Sequence, residues 1–148
     1  MENLVTHLRL SVTDRCNIQC FYCRHEGQSC NGADMSLDTI RSIIRDMVSL
    51  GIRHVKITGG EPLLRSDIVE IVRDIKSYPQ IIDLSMTTNG LLLEKLALPL
   101  KEAGLTRINI GCDSLYSDMV PKTMTKIDQA KLLLLRKPCF RTPVSGIE

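Results

Sequence analysis

The stretch HVKITGGEPLLRSDIVEIVRDIK, His54 to Lys76, decides the fold. Its first five residues, His54 to Thr58, read as a strand. A turn, Gly59-Gly60-Glu61-Pro62, follows. Ser66 and Asp67 then open a helix that carries Ile68, Val69, Ile71, Val72 and Ile75 and must end before Pro79. Strand, loop and helix in so few residues make one β/α unit.

Working outward, the same rhythm recurs. His7 to Val12 (HLRLSV) alternates apolar and polar residues and reads as a strand. Leu37, Ile40, Ile43, Ile44, Met47 and Val48 follow helical spacing between Ser36, an N-cap residue, and Gly51, a C-terminal stop. Ile81 to Met86 is expected to be the third strand and Leu91 to Ala103 the third helix, kinked or divided at Pro99. Gly104 ends it, and Thr106 to Ile110 is a fourth strand. Strands separated by helices of this length imply a parallel sheet with right-handed crossovers.

Each strand leads into an unusual loop. The first is followed by a cysteine-bearing segment, the second by Gly59-Gly60-Glu61-Pro62. The third is followed by Thr87-Thr88-Asn89-Gly90, the fourth by Gly111-Cys112-Asp113-Ser114. In a parallel β/α array these loops all leave the carboxyl end of the strands, where such folds build their sites. Past Asp118 the pattern fails, because Pro138 and Pro143 interrupt the helix-like start of the tail. The expected division is a core over residues 1–118 and a divergent tail over 119–148.

Composition narrows the classes. The 148 residues suit one domain or part of a larger one, and 43% hydrophobic residues suffice for a core. No apolar run approaches the ~18 residues of a membrane span, and the N-terminus lacks an apolar signal core, so a soluble cytoplasmic protein is expected. A net charge of +2, with 3% aromatic residues and no Trp, gives no support for nucleic-acid binding. Cytosolic thiols stay reduced, so clustered cysteines there point to metal rather than disulfides. Cys30, Cys112 and Cys139 are scattered and read as small soft hydrophobes.

Cys16, Cys20 and Cys23 stand in C-x3-C-x2-C spacing. Structural zinc needs four ligands, and His25 is near enough to be the fourth. An iron–sulfur cluster also takes thiolates, and three donors would leave one iron of a four-iron cube open to another ligand. Spacing alone leaves both readings standing.

The three-cysteine loop with Tyr22 inside it, the GGEP turn after the second strand and TTNG after the third resemble the radical S-adenosylmethionine superfamily, over about residues 4–118. The resemblance implies a partial (β/α) TIM-like barrel, here of about four β/α units. It implies a [4Fe–4S] cluster on Cys16, Cys20 and Cys23, with S-adenosylmethionine on the fourth iron and a 5′-deoxyadenosyl radical that takes hydrogen from a substrate. Tyr22 matches the residue whose backbone meets the adenine. Gly59 and Gly60 would let backbone approach the cofactor closely. Their carbonyls and the Glu61 carboxylate would accept from its ammonium group.

The longer matches, LRLSVTDRCNIQCFYC, KITGGEPLLR and TTNGLLLEKLALPLKEAGLTRINIGCDSL, are similar to the GTP 3′,8-cyclases of molybdenum cofactor biosynthesis, in an archaeal style. That resemblance implies GTP as substrate, contacted by Arg9, Lys56 and Thr87, whose guanidinium, ammonium and hydroxyl suit phosphate and purine. It also implies an electron donor such as a flavodoxin or ferredoxin, with a homodimer or a completing subunit as further partner. Two departures stand out. Gly111 occupies the place of a serine that contacts S-adenosylmethionine, and the second-cluster cysteines and Gly-Gly tail of the family are missing. The expectation is therefore an N-terminal portion ending in an aberrant tail. Another radical enzyme acting on a peptide or tetrapyrrole, and a noncatalytic metal-stabilised module, are the alternatives.

Overall fold

The computed structural model describes residues 5–18 and 34–111. Their order is β1 (His7–Ser11), α1 (Leu37–Ser49), β2 (His54–Thr58), a single 3₁₀ turn (Pro62–Leu64), α2 (Ile68–Lys76), β3 (Asp83–Thr88), α3 (Leu93–Glu102) and β4 (Arg107–Ile110). The four strands form one parallel sheet in the order β1-β2-β3-β4. Every crossover thus steps the same way across the sheet. Right-handed crossovers that never reverse place their helices on one face, which is the winding of a barrel wall. In agreement, α2 packs beside both α1 and α3. The expected α/β class and parallel, TIM-like partial barrel are observed.

Alternation along the strands gives the two faces opposite characters. Leu8, Leu10, Val55, Ile57, Leu84, Met86, Ile108 and Ile110 share the helix-covered face through the register Leu10↔Ile57↔Met86↔Ile108. They pack with Ile40 and Ile44 of α1, Ile68, Ile71, Val72 and Ile75 of α2, and Leu93 and Leu100 of α3 into one core. The opposite face carries His7, Arg9, Ser11, His54, Lys56, Thr58, Asp83, Ser85, Thr87, Arg107 and Asn109, none of them apolar. Parallel sheets usually bury both faces and read as continuous apolar runs. Among the described residues this one does not: its second face is polar, with Arg9 and Lys56 exposed and Thr58 and Ser85 buried.

Local signals acted largely as read. Ser36 caps α1 by accepting from the Thr39 N–H at 3.1 Å, and Gly51 leaves it with φ 96°. Four expectations need correction. β3 begins at Asp83, two residues later than Ile81, because the Ile81 N–H closes a turn onto the Tyr78 carbonyl (3.0 Å) while its side chain is buried in the core. Thr87 and Thr88, expected in the loop, are consequently the last residues of that strand. The third helix runs through Pro99 rather than dividing there, since one missing N–H close to the end removes a single bond and Leu100 remains fully buried. Asp67 occupies the N-cap position of α2 without capping it, because Arg65 holds its carboxylate. The boundary at residues 118–119 and the tail lie outside the described residues.

Leu84→Ala in β3 is expected to lower unfolding free energy by about 2–5 kcal/mol, the usual range for a buried leucine. Leu98→Ala on the outside of α3 should change it by less than about 0.5 kcal/mol. Denaturant melts of the two variants, side by side, check the assignment of inside and outside.

Candidate active site at the carboxyl ends of the strands

The loops after β1 and β2 meet backbone to backbone. The Gly60 N–H donates to the Thr13 carbonyl at 2.8 Å, and the Glu61 N–H to the Arg15 carbonyl at 2.7 Å. A Cβ on Gly59 would lie 2.4 Å from the Thr13 oxygen, and one on Gly60 would lie 2.3 Å from the Arg15 oxygen. Gly59 also sits at φ 148°, which disfavours any side chain. Both glycines are therefore required by the protein's own backbone, whatever ligand approaches them. That is a reason the sequence did not disclose.

Glu61 extends the contact to the third loop. It is 1% exposed, and its Oε1 accepts from the Leu63 N–H (2.9 Å) and the Thr88 hydroxyl (2.7 Å) while Oε2 accepts from the Asn89 N–H (2.7 Å). Burial and these three internal donors make Glu61 a joint between loops. Asn89 reaches on to the Asn17 side chain at 2.8 Å, beside Cys16. The Gly111 N–H donates to the Thr88 carbonyl at 2.9 Å, which brings the end of β4 into the same rim.

A guanidinium ties down both flanks of the cysteine-bearing segment. Arg65 is 5% exposed, and its Nη1 donates to the carbonyl of Val12 (2.7 Å) before that segment and of Met35 (2.8 Å) after it. Nε and Nη2 form a fork onto Asp67 at 2.8 and 2.6 Å. Beside it, Asp34 accepts from the Thr13 hydroxyl at 2.6 Å and pairs with Arg15. Burial pushes the Asp34 carboxyl up, but the Thr13 and Arg15 hydrogen bonds and the charges of Arg15 and Arg65 outweigh it and hold it below the ordinary aspartate value. The Arg65 fork likewise lowers Asp67, against a smaller opposing effect of burial.

Among the residues expected to form a site, Cys16, Gly59, Gly60, Glu61 and Gly111 are brought together at this rim, with Cys16 exposed. Arg9, Lys56 and Thr87 lie on the polar sheet face below it, Arg9 and Lys56 as register partners and Thr87 two residues further along β3 than Ser85, the partner of Lys56. Cys20, Cys23, Tyr22 and His25 lie outside the described residues, as do Cys30, Cys112 and Cys139. Arg65, Asp34, Asn17 and Arg107 went unnoticed in the sequence, and Asn89 was named only as part of its loop. The only hint for Arg65 was a charge placed between Leu64 and an expected helix start.

Known proteins agree with this geometry. A family model described as the Radical SAM superfamily matches residues 10–135. The GTP 3′,8-cyclase of Lactiplantibacillus plantarum is 51% identical over 124 residues, covering 82% of this chain and 37% of that protein. A probable GTP 3′,8-cyclase of Archaeoglobus fulgidus is 49% identical over 115 residues, covering 78% and 38%. The chain thus spans little more than a third of the length of these relatives. Among solved structures, BtrN in complex with AdoMet and 2-DOIA is similar at a TM-score of 0.62 and 25% identity, covering 74% of this chain and 46% of BtrN.

Gly60→Ala should disrupt the rim, lowering the melting temperature and raising amide exchange at residues 13–15 and 59–61. Gly111→Ala should fold normally, since the nearest atom to its added Cβ is 3.9 Å away. The depressed aspartates set an acid limit. Their contribution is complete above the unfolded value of about 3.9 and is lost as pH falls through their lower folded values. Thermal melts should show no change from this source between pH 7 and about pH 5, and a decline below about pH 4 that is shallower in Asp34→Asn.

Proposed function

The chain belongs to the radical SAM superfamily, and we propose that it serves GTP 3′,8-cyclase chemistry, converting GTP to 3′,8-cyclo-7,8-dihydro-GTP at the start of molybdenum cofactor biosynthesis. The observation that carries this reading is the polar sheet face, with Arg9 and Lys56 side by side under a rim built from glycines. The two cyclase relatives, at 49–51% identity, support the choice of substrate. A tetrapyrrole would need apolar walls, and that face has none among the described residues.

The donor set fits an iron–sulfur cluster. Cys16 is exposed at the mouth of the sheet, on a segment whose two flanks Arg65 anchors, and Cys20 and Cys23 follow it in sequence as further thiolates. We assign the [4Fe–4S] ligands to these three. We assign S-adenosylmethionine to the backbone of Tyr22, Gly59, Gly60 and Gly111, whose carbonyls can accept from an ammonium group. Glu61 supports that site by holding the loops after β2 and β3 together. When bound, the cluster and its sulfonium cofactor supply one-electron chemistry that ends in removal of a hydrogen atom from substrate.

The chain's own contribution is placement. Arg9 offers a guanidinium fork and Lys56 a point charge to phosphate oxygens, and the Thr87 hydroxyl is positioned to donate or accept on the purine or ribose. A low-potential donor such as a flavodoxin or ferredoxin would deliver electrons in a reducing cytoplasm, with a second copy or another subunit as a further partner. No helix among the described residues is long and apolar enough to cross a membrane.

Anaerobic reconstitution of the chain should give about four irons per molecule and, with dithionite, release 5′-deoxyadenosine from S-adenosylmethionine. Cys16→Ala should lose both, and the intact chain should bind GTP at least about tenfold more tightly than ATP. Full iron retention in Cys16→Ala would overturn the ligand assignment, and equal binding of GTP and ATP the substrate assignment.

A further inference from the structure

Arg9, Lys56, Ser85 and Arg107 stand opposite one another in register, one on each strand, and so form a straight row across the polar face. At about 4.8 Å between strands the row is about 14 Å long, with a cation at both ends. Lys56 makes no hydrogen bond or ion pair among the described residues, and Arg9 makes one long contact to the Thr58 hydroxyl at 3.4 Å. Arg107 is anchored by its Nη2 to Asp83 at 2.5 Å, and Asp83 is held in turn by the Thr106 hydroxyl at 2.9 Å.

Two shielded polar atoms lack a partner among the described residues: Arg107 Nε and Thr87 Oγ1. Both sit on this face, on adjacent strands, in neighbouring rows, since Thr87 faces Asn109 and Arg107 faces Ser85. Other hydroxyls of the same face are satisfied by the sheet, Thr58 by the Leu10 carbonyl (3.4 Å) and Ser85 by the Val55 carbonyl (3.5 Å). The deficit is therefore confined to one corner of the face. Shielded polar groups are rarely left unpaired, and a local cluster of them marks the place of a missing partner.

We propose that Arg107 is a substrate-binding residue, the fourth-strand cation of a row that grips the phosphate chain of a nucleoside triphosphate, with the Thr87 hydroxyl of the neighbouring row left for the ribose or purine. This deepens the reading above and rests on its substrate class. Nε and Nη2 form one edge of the guanidinium. Asp83 holds Nη2 and so fixes the direction of the group, whose side chain remains 43% exposed to an incoming anion.

The test is a titration of the full 148-residue chain with GTP, ATP and inorganic tripolyphosphate, in wild type, Arg107→Gln, Arg107→Lys and Asp83→Asn. Arg107→Gln should weaken both GTP and tripolyphosphate by about 10–100-fold, as loss of a charge-assisted contact does. Asp83→Asn should bind them at least as tightly as wild type, because the amide oxygen can still accept from Nη2 and hold its direction while a competing negative charge is gone. A structural ion pair predicts the opposite, equal losses from both variants, and that result overturns the proposal. So does unchanged tripolyphosphate binding in Arg107→Gln. Should Arg107→Gln fail to fold by circular dichroism, Arg107→Lys and Asp83→Asn decide it: weakened binding in the first with retained binding in the second supports the role, and any other pattern refutes it. Arg107-dependent tripolyphosphate binding without preference for GTP over ATP keeps this inference and sinks the guanine assignment. No binding of either by the wild type sinks both.

Discussion

The site depends on how closely residues 13–15 lie against residues 59–61. Two short backbone hydrogen bonds and two glycines whose Cβ atoms would collide with carbonyl oxygens allow almost no relative movement there. The direction in which the chain leaves β1 toward Cys16 is thereby set by the loop after β2. A ligand carried on thiolates needs that kind of support, because a metal site is only as well placed as the groups behind its donors.

Around that contact the polar groups act as a connected set. Glu61 links the second loop to the third, Asn89 links the third back to Asn17, and Arg65 anchors both flanks of the cysteine segment. Glu61 and Arg65 are almost wholly withdrawn from water, so removal of one partner would leave an unsatisfied group in a poorly solvated place. Such networks specify a single arrangement more than they add stability. Here the arrangement specified is the relative position of three strand ends, which hydrophobic packing alone would leave free to shift.

Elements were legible where local chemistry decides them. The Ser36 cap and the apolar spacing of α1 need no distant partner, and β2 matches its reading residue for residue. Reading failed where a distant partner decides. Ile81 and Ile82 look like strand, yet the ladder is set by Leu84 and Met86 lying beside Val55 and Ile57. The motif residues of the site could be recognised as a group, because their spacing survives in the sequence. The roles of Glu61 and Arg65 could not, since their partners lie 27 and 53 residues away. Gly59 and Gly60 read as places where backbone approaches a ligand, and in the structure Thr13 and Arg15 of the chain itself lie against them.

The division of the sheet explains how a small array can hold a charged ligand. The hydrophobic core of the described residues is on the helix side, where Ile57, Leu84 and Met86 meet Ile40, Ile71 and Ile75, all almost wholly buried. The other face contributes little packing, so cations can stand in a row there without disturbing the core. Arg9 and Lys56, adjacent in register, repel one another, whereas Arg107 is already paired with Asp83. On the proposed reading, an anion lying along Arg9 and Lys56 would relieve that repulsion, which would favour ligands bearing several negative charges along a line.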